Sequence, residues 1–308
     1  MDAVGTRMLT FDDFDAWADA VQGGDLRLAC DRVEERRWQL AAGAVGNIFL
    51  QVAHEGGGNL CYGGNASDAT LLFLPVSCFG QQLANGEPLG ENSLLVIPPG
   101  SDFRIAVRRR AHGWCSIALP GNAMGSRTSM VLHPGAAATG RLRRLVQQVA
   151  ASPLLEGGPA PAREVAAVQL AAAAADCLVP SPQRPSTGRP RLDRGEIIRR
   201  TMAHLEATAL GRPSVAMLAD HAQVTERTLC RAFRDNFEIS PLDYINLRLL
   251  HRVRRSLLAA ANAQTTVSDV LMEHGVWEHG RFAGRYRRQF GEALSQTLRR
   301  TAREREAG

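Results

Sequence analysis

The sequence predicts an α+β protein, with a β-rich N-terminal region, a helical middle and an all-α C-terminal region. Three observations support this prediction. Short β-prone runs separated by Gly, Asn and Pro turns fill residues 26–120, as in a small barrel or sandwich. Helical periodicity replaces that pattern from residue 139 and returns after residue 190. Residues 189–308 hold 21 Arg against 14 Asp and Glu, a net charge of +7, whereas the whole chain has a net charge of +5. The positive charge is thus concentrated in this region, which is suited to binding a polyanion.

The β-prone runs supply the walls of a predicted ligand pocket. Examples lie at 47–52, 70–74 and 93–97, with turns at 56–58 and 98–100. We expect a mostly apolar pocket inside the barrel that binds a small organic effector. The side chains expected to form its apolar walls are Ile48, Leu50, Leu72, Leu74 and Ile97.

An enzyme is the main alternative class. A barrel can hold a catalytic metal through clustered His and carboxylate groups, but residues 26–120 offer only His54 and His112, which are widely spaced. The sequence contains no nucleophile elbow, phosphate loop or paired-carboxylate motif. We therefore expect no catalytic residues, no metal and no cofactor, and a protein that is not an enzyme.

Two helices follow the β-rich region. Apolar residues repeat at helical spacing from Leu142 to Val149, the pattern breaks at Ser152-Pro153, and an Ala-rich helix follows over 162–178. These helices suit either a homodimer interface or plain structural support. Residues 180–190 contain four prolines in eleven residues, a composition typical of a linker. The predicted domains are therefore 1–179 and 191–308, joined by the linker 180–190.

The C-terminal region contains a repeated helix-turn-helix pattern. In the first copy Ser214 begins a short helix, residues 222–224 form a turn, and Thr225 caps the helix Glu226–Phe237. In the second copy a short helix from Val267 leads to a turn at Gly275-Val276 and the helix His279–Phe290. A helix of eighteen residues begins at Pro241 between the copies and spans roughly 27 Å. It could set the two copies about one DNA turn apart, roughly 34 Å.

The second helix of each copy has the residues that a DNA-reading helix needs. The first residues of such a helix meet base edges in the major groove, and Arg contacts guanine or phosphate through its bidentate fork. The helix N-terminus itself attracts phosphate. The predicted DNA-binding residues are Thr225, Glu226, Arg227, Thr228, Arg231, His279, Gly280, Arg281 and Arg285.

Blander interpretations accompany these predictions. The arginines could simply solvate a helix face, and His279 could be a helix cap rather than a base contact. Arg254 and the neighbouring arginines of the connecting helix suit structural pairing as well as DNA. We expect Trp277 to lie in the core rather than to stack on bases.

These motifs resemble the DNA-binding domain of the AraC/XylS family over residues 197–299. The resemblance rests on residues 225–233, 239–244, 248–249, 267–270 and 280–291. It implies two three-helix units joined by a rigid helix and reading adjacent major grooves. It also implies a cupin-like N-terminal barrel that senses a small molecule and dimerises. The N-terminal half is weakly similar to regulators of ethanolamine and amine utilisation.

Three positions depart from the family pattern. Gln223 stands where the first turn usually has Gly, so we expect this turn to have a different shape. Val276 replaces an aromatic residue and Leu294 replaces a proline. These last two changes bear on the packing of the second helix-turn-helix copy.

The predicted function is that of a sequence-specific transcription regulator, an activator, located in the cytoplasm. Its expected partners are double-stranded promoter or operator DNA, a small-molecule effector, a second copy of the chain and, for an activator, RNA polymerase, with no membrane association. A nonspecific architectural DNA-binding protein is the third class, because a basic region alone would suit it.

Overall fold

The computed structural model of the chain describes residues 8–77, 79, 81–179, 194–208, 213–260 and 265–306. The chain divides into two compact units, one N-terminal and one C-terminal, and each is described by itself. The predicted linker 180–190 lies outside the described residues. Within the described ranges, no helix is long and apolar enough to cross a membrane.

The N-terminal unit is built from strands with a few helices. Its strands are β1 (Leu9–Phe11), β2 (Asp25–Val33), β3 (Trp38–Val45), β4 (Ile48–Glu55), β5 (Gly57–Gly64), β6 (Thr70–Pro75), β7 (Gln82–Ala84), β8 (Glu87–Leu89), β9 (Leu94–Ile97), β10 (Asp102–Val107), β11 (His112–Leu119) and β12 (Met130–Leu132). Its helices are α1 (Phe14–Ala20), α2 (Ala136–Ala150), a short 3₁₀ helix (Pro153–Glu156) and α3 (Ala160–Leu178). The two helices predicted after the β-rich region are therefore present.

Hydrogen bonds arrange the described strands in two open sheets. One has the order β1-β3-β4-β11-β6-β9-β12 and the other the order β2-β5-β10-β7-β8. The chain crosses between the two sheets several times, and one of these crossings is at Gly56, between β4 and β5. A Cβ atom at Gly56 would lie 2.1 Å from the carbonyl oxygen of Glu35, so this crossing requires glycine. The α+β class is confirmed, but the strands described do not close into a single barrel.

The seven-stranded sheet is buried on both faces. One face packs Leu50, Leu72 and Ile117 against α2 and α3 through residues such as Val146 and Leu170. The other face looks toward the five-stranded sheet. Each fully buried Leu or Ile of this layer contributes about 1.5–3 kcal/mol relative to an exposed one.

The C-terminal unit is helical. Its helices are α4 (Arg194–Ala207), α5 (Val215–His221), α6 (Glu226–Phe237), α7 (Pro241–Ala259), α8 (Val267–Glu273), α9 (His279–Phe290) and α10 (Leu294–Glu306). A hydroxyl accepts a backbone N–H at the start of four of them, an interaction worth about 1 kcal/mol each. The capping residues are Ser214, Thr225, Ser240 and Thr266.

Two clusters of side chains hold this unit together, and α7 belongs to both. Near its N-terminus, Tyr244 packs its ring 5.5 Å from that of Phe233 and 5.3 Å from that of Phe237, both on α6. Further along, Val253 and Leu257 join a cluster with α8, α9 and α10. We call these the first core and the second core.

The second core also contains a polar network. Arg254 lies 3.2 Å from Glu292, and Thr297 donates to Glu292 at 2.9 Å and lies 2.8 Å from the hydroxyl of Tyr286. Arg254 therefore has the structural role considered for the connecting helix. The two replacements of family residues also fit here: Val276 and Leu294 are both buried in the second core.

Candidate nucleic-acid interface

The first helix pair, α5 and α6, is joined by a turn in which Gln223 has a φ of +58°. The amide of Val224 donates to the carbonyl of Ala219, and that of Gln223 donates to Asp220, both at 3.0 Å. These are the two hydrogen bonds of a Schellman motif, which requires a left-handed residue where α5 ends.

The second helix pair, α8 and α9, has the same turn. Gly275 has a φ of +66°, and the amides of Val276 and Gly275 donate to Leu271 at 2.8 Å and Met272 at 2.9 Å. The expectation that Gln223 changes the shape of the first turn is therefore wrong. The hydrogen bonds hold the left-handed conformation despite its cost, and Arg200 of α4 donates to the Gln223 amide oxygen at 3.2 Å.

The predicted site residues of α6 fall into two groups. Thr225 and Thr228 form the cap, because Thr225 Oγ1 accepts the Thr228 amide at 3.2 Å and lies 2.9 Å from its hydroxyl. Glu226 occupies the exposed first turn. Arg227 and Arg231 are exposed on the side opposite the buried face of the helix. Arg231 also lies 3.9 Å from Asp235, a weak pair at this exposure.

The predicted site residues of α9 are arranged more openly. Glu278 begins the helix, and no side chain among the described residues caps it. His279 is half-buried, while Gly280, Arg281 and Arg285 are exposed. Arg281 lies 3.4 Å from Glu278, but both side chains are more than 70% exposed, so the pair contributes little. The first amides of α9 are thus available to an anion such as phosphate.

The two helices also differ in charge. α6 carries three arginines and two acidic residues, a net of +1. α9 carries four arginines and no acidic residue, a net of +4. Since neutralising phosphates is what makes DNA binding strong and salt-dependent, α9 is the more electropositive of the two.

Trp277 is not in the core, contrary to expectation. Its side chain is 78% exposed, because Val276 takes the buried position after the turn. Trp277 instead lines a surface cleft with Asn246, Arg281 and Arg285. One feature of the sequence could have predicted the exposure of Trp277. Two large apolar residues follow Gly275, and a Schellman turn buries the first of them.

A second candidate site is a cavity between the two sheets of the N-terminal unit, lined by both. Its volume is about 80 Å³, several times the roughly 10–15 Å³ that one water molecule needs on the same measure. Of the five expected wall residues Ile97 does line it, whereas Ile48, Leu50, Leu72 and Leu74 face the helices instead. The cavity is lined by their alternating neighbours Phe49, Leu71 and Phe73. The sequence did not determine which face of each strand meets the cavity, because apolar residues alone do not distinguish a face packed on helices from one packed on a second sheet.

Polar side chains gather at one place in this cavity. Glu55 Oε1 accepts from the Trp114 indole at 2.7 Å and the Asn59 amide at 3.2 Å, and lies 3.4 Å from His112 Nε2. Burial lowers the pKa of His112, but the charge and hydrogen bond of Glu55, with two backbone carbonyls, outweigh burial and raise it above its ordinary value. Among the residues described, no group of three or more His, Cys, Asp or Glu could hold a metal ion.

The sequence comparisons with known proteins concern the C-terminal region. The family model described as "Helix-turn-helix domain" matches residues 218–300. The chain is 31% identical over 103 residues to the "Probable thc operon regulatory protein" of Rhodococcus erythropolis, covering 33% of this chain and 31% of that protein. It is 30% identical over 105 residues to the "XylDLEGF operon transcriptional activator" of Pseudomonas putida, covering 34% and 33%. The match thus spans about a third of the length of these curated relatives.

Among solved structures, a probable AraC family transcriptional regulator from Rhodopseudomonas palustris is 27% identical, and the alignment covers 34% of this chain and 96% of that one at a TM-score of 0.32. The matching family model and the curated relatives agree with the AraC/XylS resemblance drawn from the motifs. The weak likeness of the N-terminal half to amine-utilisation regulators stays a prediction, since the matching family model begins at residue 218.

Proposed function

We propose that this chain, whose C-terminal region is of the AraC/XylS type, is a sequence-specific DNA-binding transcription regulator that reads DNA with α6 and α9. One observation carries the proposal. The same Schellman turn occurs twice, and each time it leads into a helix with a buried aromatic face and exposed arginines four residues apart, 227 and 231 or 281 and 285. This is the local geometry that places a helix in the major groove.

Each predicted residue has a role in this proposal. The four arginines contact guanine edges or phosphates. Thr225 and Thr228 fix the start of α6, beside Glu226, which can accept from the amino group of a cytosine. His279 and Gly280 belong to the uncapped start of α9, where backbone amides meet a phosphate.

The regulatory part of the proposal concerns the N-terminal unit. In this proposal the N-terminal unit is a cupin-like sensor, and a small molecule bound between its two sheets would control DNA binding or activation. A homodimer would raise the effective concentration of the reading helices at a paired operator. As an activator the protein would also contact RNA polymerase. The bound effector can shift the protein between states only as far as it prefers one of them.

Selection of binding sites tests the DNA-binding part. The full chain is used to enrich sequences from random DNA, and affinity for the enriched site is then measured over a series of salt concentrations. We expect a specific site, and a variant carrying Arg227→Ala, Arg231→Ala, Arg281→Ala and Arg285→Ala should lose it. Arg299→Ala removes an exposed arginine of the same region and is the matched control.

Two outcomes contradict the proposal. If the fourfold variant binds the enriched site as well as the unmodified chain, α6 and α9 do not read DNA. If no sequence is enriched and unrelated DNA competes equally, the protein is a nonspecific architectural binder, the class that the basic C-terminal region also suits.

A further inference from the structure

We infer that the cavity of the N-terminal unit binds a small organic ammonium compound, with its nitrogen held by Glu55 and Asn59 and its apolar part among aromatic rings. This inference rests on the proposed function in that the ligand would be the effector. It goes further by stating the chemical class of that ligand and the residues that select it.

The first argument is the set of hydrogen-bond acceptors in the cavity wall. Glu55 is 2% exposed and Asn59 is 4% exposed, and both line the cavity. Glu55 Oε2 and Asn59 Oδ1 have no hydrogen-bond partner among the described residues. Buried acceptors are almost always paired in folded proteins, and a buried carboxylate oxygen is especially costly to leave alone. The site is therefore suited to a ligand that donates hydrogen bonds to these two oxygens.

The second argument is that the hydrogen-bond donors already present in the cavity wall are used by other acceptors and do not reach the two open oxygens. The Trp114 indole and the Asn59 amide both donate to Glu55 Oε1, and His112 Nε2 faces that same oxygen. His112 Nδ1 lies 3.1 Å from the carbonyls of Gly57 and Arg110. These contacts fix the Glu55 carboxylate in position and leave its second oxygen for a ligand. An ammonium group has three N–H donors and can serve both open acceptors.

The third argument is the composition of the remaining wall, which is mainly aromatic and aliphatic. The Trp114 ring lies 5.5 Å from that of Phe73 and 6.3 Å from that of Trp17, and all three line the cavity. Aromatic faces attract cations as well as apolar groups, so these walls suit both parts of an organic ammonium ion. An anion would meet the open oxygens of Glu55 and Asn59, which offer it no hydrogen-bond donor.

The other polar groups of the cavity do not compete for this role. The Gln51 side chain already accepts from the backbone N–H of Gln22 at 2.9 Å, and it donates to the backbone carbonyl of Gln22 at 2.8 Å and to the Ser116 hydroxyl at 3.1 Å. Burial raises the pKa of the Cys61 thiol, so it stays protonated and is a poor nucleophile. The cavity is thus suited to binding rather than to covalent chemistry.

Calorimetric titration of the full chain with matched probes tests the inference. Benzylamine, benzyl alcohol and benzoate share one ring and differ in the polar group, and cyclohexylamine, cyclohexanol and cyclohexanecarboxylate repeat the series without aromaticity. We expect each amine to bind about tenfold or more tightly than its alcohol, because a charge-assisted hydrogen bond replaces a neutral one, and each carboxylate to bind most weakly. An alcohol or carboxylate that equals its amine, or amines that do not bind, would overturn the inference.

Variants assign the preference to the named residues. Glu55→Gln keeps the size of the side chain and removes its charge, and it should reduce the advantage of amine over alcohol to about threefold or less. Glu87→Gln, at an exposed carboxylate of β8, should leave that advantage unchanged. Asn59→Ala provides a second variant if Glu55→Gln fails to fold, and it should weaken amine binding while sparing the alcohols. An unchanged preference in a folded Glu55→Gln or Asn59→Ala protein contradicts the assignment.

Measurements of DNA binding on the same preparation separate this inference from the proposed function. If the chain binds its selected DNA site but does not prefer amines, the inference is overturned and the proposed function as a DNA-binding regulator still stands. A chain that prefers amines through Glu55 but binds no specific DNA supports the ammonium site and overturns the proposed function.

Discussion

The two helix pairs of the C-terminal unit have the same turn but different surroundings. In the first pair, Thr225 caps α6 and acidic residues offset its arginines. In the second pair, α9 starts without a side-chain cap among the described residues and carries arginine without acidic residues. The first core is packed by the rings of Phe233, Phe237 and Tyr244, whereas the second adds the Arg254–Glu292 network.

This difference teaches that one backbone arrangement can serve two kinds of contact. A capped helix with few net charges depends on particular side chains, and so it is suited to recognising bases. An uncapped and strongly positive helix gains affinity from phosphates, with less dependence on sequence. We therefore expect α6 to contribute more to specificity and α9 more to affinity, and the following predictions test that division.

The largest effect is expected from removing arginines in pairs. Arg281→Ala with Arg285→Ala should lower affinity for all DNA and reduce the salt slope, whereas Arg227→Ala with Arg231→Ala should mainly reduce discrimination between sequences. Each arginine should cost about 1–3 kcal/mol if it reads a base, or about one unit of salt slope if it binds phosphate. Titration of the selected site and a scrambled site measures both. Equal salt slopes for the two double variants would contradict the division.

The two cores should respond differently to single substitutions. Phe237→Ala removes a fully buried ring from the first core and should lower the free energy of unfolding by about 3–5 kcal/mol. Tyr286→Phe removes one hydroxyl, hydrogen-bonded to Thr297, from the second core and should cost about 1 kcal/mol. Urea denaturation of the full chain measures both. A larger loss for Tyr286→Phe would mean that the polar network dominates the stability of the unit.

The two turns offer a symmetrical test. Gln223→Gly should stabilise the chain by about 1 kcal/mol, since glycine adopts a positive φ without the penalty of a Cβ atom. Gly275→Ala should destabilise it by a similar amount, although a Cβ there meets no atom within 4 Å, so the cost is conformational. Gln223→Ala serves as the control, because it keeps the backbone cost and removes only the hydrogen bond from Arg200. If thermal unfolding shows Gln223→Gly to be less stable than Gln223→Ala, the positive φ at residue 223 does not carry the expected conformational cost.

The smallest effect on stability is expected from Trp277→Ala. A side chain 78% exposed contributes little to folding, so the change should stay within about 0.5 kcal/mol. Val276→Ala at the neighbouring buried position should cost clearly more. Any loss of DNA affinity in Trp277→Ala then reflects contact beside Arg281 and Arg285. A loss of stability as large as that caused by substituting a core residue would contradict the exposed position of Trp277.

Local signals in the sequence were sufficient for the helices predicted to read DNA. The bounds Glu226–Phe237 and His279–Phe290 are confirmed. Thr225 marks the start of the first of these helices, and in both helices aromatic residues four positions apart mark the buried face. Gln223 was misjudged because residue preference suggested a different turn, whereas the hydrogen bonds around it fix the conformation. Contacts with DNA by any of these residues stay a prediction.

The N-terminal unit was harder to predict because its decisive features are nonlocal. Both faces of β6 are apolar, and the face of β4 that lines the cavity carries Gln51 and Glu55 although it is buried. The pattern alone therefore cannot say which face meets the helices. The association of Glu55 with His112 depends on the pairing of β4 with β11. His112 was considered at the sequence level only as half of a missing metal site. The division into two sheets likewise depends on where the chain crosses between them, as it does at Gly56 and at several other connections.

Helix α7 places a constraint on how this protein can change over evolution. Its first turns are packed into one core through Tyr244 and its last turns into the other through Val253 and Leu257. Inserting a single residue between these segments would rotate one core relative to the other by about 100° and move it by about 1.5 Å. The side chains of α7 could not remain packed in both cores after such a rotation. The length of α7 can therefore change only by numbers of residues close to whole helical turns, such as seven for nearly two turns or eleven for about three. The interval between the two helix pairs can accordingly change only in large steps.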